Sequence, residues 1–239
     1  DCGSMNWLHT SLFLNPPAFL EELGKNMQEW GVKPEIEAFD PGMIANAAYY
    51  LKKGVLKAPL HFQFCMGCAN GIPGSLKNLI FMKETMESLC PGSTWSCFGV
   101  GHCALEMLYG AVALGGHIRV GMEDNVVFEV KENGEKVMAT NHMLVERAVN
   151  AVKAFGNTPA TPDEARRMLG IPAFDGGRVR AEINVEREVP PMTENNQLEL
   201  IISVVEHGMA DDVMAAGLIY LRITALSFPF IALYNAGAA

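Results

Sequence analysis

Positive charge is scarce in this chain. Its 239 residues carry 18 lysines and arginines against 27 aspartates and glutamates, a net charge of −9. A nucleic-acid partner needs a basic face, so that class is excluded, although local arginines can still hold small anions. Cysteine is thin as well: Cys2, Cys65, Cys68, Cys90, Cys97 and Cys103 are scattered through a chain too large to need a disulfide framework. Their spread suits a reducing compartment, and a cytoplasmic location is expected. "CMGC", Cys65 to Cys68, has metal-knuckle spacing, but a second Cys-x-x-Cys is missing. A zinc ribbon is thereby excluded, and buried cysteines acting as small hydrophobes fit better. The opening residues do not read as a signal peptide. Asp1 is no natural start and the last residues stop inside an apolar run, so a piece of a longer design is expected.

What is present is enough apolar residue, 49% against 19% charged, for a sizeable core. Helical and strand patterns alternate to about residue 170. The helices are "PPAFLEELGKNMQEWG" (16–31), "MIANAAYYLKKG" (43–54), "SLKNLIFMKETMESL" (75–89), "HCALEMLYGAVALGG" (102–116), "HMLVERAVNAVKAFG" (142–156) and "TPDEARRMLG" (161–170). Ser75 is the expected N-cap of the third, and Thr161 with Glu164 forms a capping box in the last. The strands are "PEIEAFD" (34–40), "LHFQFCMG" (60–67), "STWSCFGVG" (93–101) and "HIRVGME" (117–123), and "NGE" (133–135) marks a turn.

This alternation implies a parallel sheet with helices outside, either doubly wound or a β/α barrel. The strand faces discriminate. Side chains alternate along a strand, so Glu35 and Glu37 share a face, as do His61 and Gln63, and as do Arg119, Gly121 and Glu123. A doubly wound sheet needs both faces apolar, whereas a barrel can turn its polar face to the lumen. A β/α barrel is therefore favoured; a one-sided sheet with a wet face is the alternative.

Active sites of such barrels lie where strands pass into loops, and "GMEDN" (121–125) is such a place. A carboxylate there can ligate a divalent cation. An arginine one pleat deeper can fix a carboxylate bidentately. Asp124, at the strand exit, can serve as a base or orient one. The plainer reading is a structural ion pair of Arg119 with Glu123 or Glu37.

Seven segments occur in one order: "LNPPAFLEEL" (14–23), "PEIEAFDPGMI" (34–44), "LHFQF" (60–64), "STWSCFGVG" (93–101), "ALGGHIRVG" (113–121), "RVGMEDN" (119–125) and "ATPDEARRMLG" (160–170). Together they resemble the β-keto acid cleavage enzymes of the 3-keto-5-aminohexanoate type, over residues 1–172. The resemblance implies an α/β fold, a partial (β/α)8 TIM barrel of about strands 4–8. It implies an acyltransferase that turns a β-keto acid and acetyl-CoA into acetoacetate and a new CoA thioester, as in amino acid catabolism. A divalent metal, usually Zn2+, is held in that family by a His-x-His pair and by the glutamate matching Glu123. Arg119 and Asp124 match its catalytic arginine and aspartate, and "CGSMN" (2–6) puts Ser4 forward as a substrate contact.

The departure from the family is the His-x-His itself. The histidines are His9, His61, His102, His117, His142 and His207, and no two are so spaced. The family carries that pair on a strand before the segment matching "DCGSMN". Three protein ligands are the usual catalytic minimum, so the chain is expected to be inactive alone and to need a complementing N-terminal half; its unpaired strand edges favour a homo-oligomer. The alternative is a non-catalytic half-barrel.

Two glycine-rich turns, "GCANGIPGS" (67–75) and "GVGH" (99–102), precede helices and could offer backbone amides to phosphates of CoA, with Lys77 and His102 nearby; ordinary strand-to-helix turns are the alternative. Residues 173–197 read as a charged, proline-broken linker. Residues 198–239 form an apolar segment expected to be helical. Its end, "YLRITALSFPFIALYNAGAA" (220–239), resembles a segment of multidrug and toxic compound extrusion transporters, so membrane contact through 198–239 is one expectation and a docking helix over the open half-barrel another.

Overall fold

A computed structural model describes residues 1–172 and Ile231–Leu233. A hairpin of β1 (Met5–Trp7) and β2 (Ser11–Phe13) leads into α1 (Pro17–Glu29). Strand and helix then alternate: β3 (Glu35–Ala38), α2 (Pro41–Lys53), β4 (His61–Met66), α3 (Leu76–Leu89), β5 (Thr94–Gly99), α4 (Ala104–Ala113) and β6 (His117–Val120). A second hairpin, β7 (Val127–Val130) and β8 (Lys136–Met138), precedes α5 (Asn141–Ala154) and α6 (Pro162–Leu169), and β9 (Ile231–Leu233) ends the described elements.

The local chemistry sets the boundaries. Asp40 caps α2 by accepting from the Met43 N–H at 3.1 Å, and Pro41 follows, so this helix starts two residues before the expected one. Gly54 ends it in the left-handed region, φ 78°. Ser75 caps α3 and the Thr161–Glu164 capping box is formed, both as expected. The fourth helix begins later than expected, at Ala104, behind a short 3-10 turn at Gly101–Cys103.

The main sheet runs β3-β4-β5-β6-β9. Neighbours from β3 to β6 are parallel. Their spatial order follows chain order without the reversal that defines a doubly wound sheet. One face is apolar: Ile36, Phe62, Phe64, Trp95, Cys97 and Ile118 join a single buried cluster with Met43 and Ile44 of α2, Leu79 and Met82 of α3, Met107 of α4 and Val152 of α5. Gly116 is required there, because a β-carbon would lie 2.4 Å from the Trp95 ring.

The last expected strand is shorter than "HIRVGME": β6 ends at Val120, since Gly121 opens a turn whose amides at Asp124 and Asn125 return to the Gly121 carbonyl. The hairpins were not expected; their strands are only three or four residues long, too short for a period-two pattern to show. β9 pairs antiparallel with β6, matching Ile118 with Leu233 and Val120 with Ile231. At Ile231–Leu233 the expected helix is thus a strand, because the outer edge of β6 offers unpaired backbone groups to an apolar extended segment. The rest of the expected linker (173–197) and apolar tail (198–239), with its transporter resemblance, lies outside the described residues. Among the described residues no helix is long and apolar enough to cross a membrane.

Phe64 has no exposed surface and stacks on Trp95 with ring centroids 5.5 Å apart. Phe64→Ala should lower unfolding free energy by about 3–5 kcal/mol in urea titration, whereas Phe81→Ala, at a half-exposed helix position, should cost less than about 1 kcal/mol.

Candidate functional site

The other face of the sheet is polar and, apart from exposed Glu35 and half-buried Thr94 at one end, buried. Register places Glu35, His61 and Thr94 in one row and Glu37, Gln63, Ser96 and His117 in the next. Arg119, two residues beyond His117, continues on that face. The rows are hydrogen-bonded across the strands. His61 Nδ1 meets Thr94 Oγ1 at 2.9 Å, and its Nε2 lies 3.3 Å from Glu35 Oε1. Gln63 Nε2 donates to Glu35 Oε1 at 3.1 Å and Ser96 Oγ at 3.5 Å. Burial, and then His61, hold His117 far below its ordinary value, at about 3, so its ring is neutral at physiological pH.

Arg119 is the centre of this layer. Its Nε donates to Asp124 Oδ2 at 3.0 Å and its Nη2 to Asp124 Oδ1 at 2.8 Å, a two-point clamp. Its Nη1 donates to Gln63 Oε1 at 2.6 Å and Glu37 Oε1 at 3.2 Å. Its remaining Nη2 direction faces Glu123 Oε2 at 3.5 Å. Of the five N–H donors of a guanidinium, four make these hydrogen bonds, and Glu123 adds an ion pair. The carboxylate that Arg119 fixes is therefore that of Asp124. Its plane also covers the Phe98 ring, 4.0 Å from the centroid. Burial alone pulls the Arg119 pKa down, but Asp124 and Glu37 outweigh it and the group ends above its ordinary value.

The two acids differ in placement. The Asp124 side chain is 7% exposed and that of Glu123 is 38% exposed. Glu123 does not share a strand face with Arg119, because β6 has already ended; it approaches by way of the turn. That turn is pinned from two sides. Gly101 N–H, after β5, donates to the Asp124 carbonyl at 3.0 Å, and Met122 N–H donates to Asn141 Oδ1 of α5 at 2.9 Å. A cavity of about 30 Å3, lined by Gly99, Arg119, Gly121, Asp124, Leu144 and Arg147, lies beside the clamp. It has room for about one water.

Ser4 lies at the foot of the first hairpin, where its Oγ accepts from the Asn15 N–H at 2.8 Å. Cys2 N–H donates to the Glu37 carbonyl at 3.1 Å, which carries the start of the chain along the edge of β3. No described hydrogen bond joins Ser4 to the Arg119 cluster. The glycine-rich turns do not form a free phosphate cradle. The amides of Gly67, Gly71, Ile72 and Gly101 donate to backbone carbonyls, and Glu106 Oε1 accepts from the Leu76 N–H at 2.7 Å, where an anion would sit at the start of α3. Lys77 and His102 are exposed. The six cysteines are free thiols, and among the described residues no group of three or more His, Cys, Asp or Glu side chains could hold a metal ion. Thr94, Ser96, Phe98 and His117 were not singled out from the sequence. The first three alternate in "TWSCF", so applying the parity of the other strands to β5 would have found them.

The family described as beta-keto acid cleavage enzyme matches residues 1–171. The 3-keto-5-aminohexanoate cleavage enzyme of Fusobacterium nucleatum is 42% identical over 175 residues, 72% of this chain and 60% of that protein. The 3-oxoadipate:acetyl-CoA acetyltransferase of Cupriavidus necator is 35% identical, over 72% of this chain and 59% of that protein. The chain thus spans about three-fifths of the length of these relatives. Among solved structures, ObcA in a binary complex with oxaloacetate superposes with a TM-score of 0.61 at 18% identity, over 72% of this chain and 44% of that one. At that identity the likeness concerns the fold.

Two outcomes follow from the buried layer. Arg119→Met leaves the Glu37 and Asp124 carboxylates without their cation and should cost about 3–5 kcal/mol in urea titration; Lys131→Met, which breaks only the exposed pair with Glu135, should cost less than about 1 kcal/mol. His117 should show no ring titration by NMR between pH 5 and 8. Its folded pKa, about 3, lies below an unfolded value of about 6.5. The unfolded chain therefore binds the extra proton, and stability should fall by up to about 1.4 kcal/mol per pH unit as pH drops from about 6.5 toward 3. A His117→Gln chain should lose that slope.

Proposed function

The chain belongs to the β-keto acid cleavage enzyme family, and we propose that it carries the acid–base part of that family's site on a segment of a (β/α)8 barrel. The sequential order of β3 to β6 and the buried polar face support the barrel reading: such a face belongs in a lumen. In this reading residues 1–172 are the barrel segment, 173–197 a linker and 198–239 an appended segment. The bond from Cys2 N–H to the Glu37 carbonyl supports reading the first residues as the tip of a preceding strand.

The observation that carries the function is the clamp of Asp124 on a fully engaged Arg119. The proposed reaction converts a β-keto acid and acetyl-CoA to acetoacetate and a new CoA thioester. The methylene between ketone and carboxylate of such an acid is the acidic carbon. Asp124 is the proposed base that takes its proton. Arg119 holds that carboxylate in one orientation by two hydrogen bonds. The carbanion then attacks the thioester carbonyl, forming a carbon–carbon bond as the carbon–sulfur bond breaks. The CoA thiol adds to the original ketone, and cleavage of its bond to the former methylene carbon gives acetoacetate and the new thioester. Arg119 supports this chemistry by holding Asp124 and not by binding substrate. Gln63 and Glu37 hold Arg119 in turn. Ser4 is proposed as a substrate contact at the rim.

Glu123 is the proposed contribution of this chain to a divalent-metal site, with Zn2+ the expected ion. One carboxylate is not a site, and the described residues hold no cluster of three ligands, so none of the steps above is routed through the metal. The remaining ligands are proposed to come from a His-x-His-bearing segment, supplied as a complementing N-terminal half or by a second chain. The transporter likeness of 220–239 forms no part of this reading; within it, Ile231–Leu233 pairs with β6.

The test mixes the purified chain with a His-x-His-bearing N-terminal segment of the Fusobacterium nucleatum relative, Zn2+, acetyl-CoA and a panel of β-keto acids, and measures acetoacetate. Turnover that requires acetyl-CoA is expected, with Asp124→Asn lowering kcat by about 10²–10⁴. Absence of acetoacetate, or an Asp124→Asn chain as active as the unaltered one, rejects the proposal.

A further inference from the structure

The turn that carries Glu123 and Asp124 opens a closed loop. The chain leaves β6, runs out through the β7–β8 hairpin and returns to α5. The base of the loop is closed by Ala139 N–H, which donates to the Val126 carbonyl at 2.9 Å. Just inside it, Val127 N–H donates to Asn125 Oδ1 at 3.2 Å. The hairpin itself is poorly rooted. None of its residues joins the main buried cluster, and Val130 and Met138 are each 59% exposed. The helix to which the loop returns is well rooted, since Ala148, Ala151 and Val152 of α5 lie in that cluster.

Two side chains of α5 reach across to this loop, one on each side of the acid pair. Asn141, the first residue of the helix, accepts from the Met122 N–H at 2.9 Å, immediately before Glu123. Arg147, about two turns further on, takes hold after Asp124. Its Nη1 donates to the Phe128 carbonyl at 3.0 Å, and its guanidinium lies over the Phe128 ring, 3.5 Å from the centroid. A planar cation can cover a ring with its face and bond a carbonyl with its edge at the same time. Arg147 also lines the small cavity beside the clamp, together with Arg119 and Asp124.

We propose that Arg147 is a positioning residue for the acid pair: it acts through Phe128 and the base of the hairpin to hold the turn that presents Glu123 and Asp124. The proposal rests on the reading of Asp124 as the base and Glu123 as a metal ligand. The Arg119 fork and the Gly101 N–H hold Asp124 itself; Arg147 ties the chain that follows it to α5. Phe128 stands four residues after Asp124, and the bonds at Val127 and Ala139 leave that link little freedom. With Met122 and Phe128 both tied to one core-anchored helix, the turn between them keeps its place relative to Arg119, which β6 carries. A displacement of about 1 Å at a reacting group costs on the order of 10²-fold in rate. Lysine at 147 keeps a cation over the ring and a donor for the carbonyl; methionine fills similar space and supplies neither.

The test compares the full chain with its Arg147→Met and Arg147→Lys forms by amide hydrogen exchange in NMR. In Arg147→Met the amides of Asp124 and Asn125, which donate to the Gly121 carbonyl, should exchange about tenfold faster, while those of Phe64 and Cys97 in the sheet change by less than about twofold. Arg147→Lys should keep most of the protection. In the mixture with the His-x-His-bearing segment, Arg147→Met should lower kcat by about 10–10²-fold, leave both KM values within about threefold, and be largely rescued by lysine. Unchanged exchange at Asp124 and Asn125 overturns the proposal. So does an equal rise across the whole sheet, which would make Arg147 a general stabiliser, or a raised KM at constant kcat, which would make it a substrate contact. If the unaltered mixture forms no acetoacetate, the acid–base reading fails, and the exchange comparison still decides whether Arg147 holds the turn.

Discussion

A buried guanidinium imposes a strict accounting. Arg119 has 2% of its side chain exposed, and water cannot satisfy its five donors at that depth. Each N–H needs an acceptor from the protein, because an unpaired buried charge is strongly destabilising. That requirement explains why Gln63 stands in the middle strand row. Its amide oxygen takes the shortest of the arginine's bonds, which leaves its nitrogen to face Glu35 and Ser96. It explains why Glu37 lies on the polar face of β3, and why the turn after β6 folds back to deliver Asp124. Four consecutive strands and one turn meet at a single cation. The apolar face binds strands to helices without direction; the polar face fixes their register, since a slip of one residue would turn Glu37 and Gln63 away from Arg119.

Much of this was legible in the chain. Period-two alternation in "PEIEAFD", "HFQFC" and "HIRV" put Glu37, Gln63 and Arg119 on one face, and the structure joins those three residues. Helix signals such as Ser75 and the Thr161–Glu164 pair worked because capping is local chemistry. The failures have physical causes too. Parity was carried through Gly121 to Glu123 as though the strand continued, but glycine at a strand end is where a turn opens. Asp124, placed at the strand exit, is instead the buried partner, and Glu123, expected on the face of Arg119, is at the rim. Short hairpins and the return of Ile231–Leu233 to β6 depend on tertiary pairing, which no local pattern encodes.

The engagement of Arg119 also bears on what this cluster can do. An arginine meant to capture a substrate carboxylate keeps part of its fork open. Here both parallel edges are committed, one to Asp124 and one to Glu37 with Gln63. The arginine can act only through the groups it holds. Its strongest effect is on Asp124, which cannot rotate without breaking two bonds at 2.8 and 3.0 Å. In the proposed reaction, orientation of this kind would present the carboxylate in one fixed direction.

The rim position of Glu123 completes this division of labour. One carboxylate is sequestered, doubly bonded and rigid; its sequence neighbour is half in solvent and weakly held at 3.5 Å from the same cation. In the proposed site a ligand for an incoming cation has to be exposed enough to be reached, and Glu123, 38% exposed against 7% for Asp124, is the acid that fits. Interchanging the two acids would therefore not be conservative, although both are carboxylates three bonds or fewer from the same backbone turn: it would bury the longer side chain against Arg119 and leave the shorter one short of the mouth. The turn pinned by Gly101 and Asn141 keeps the two roles from mixing.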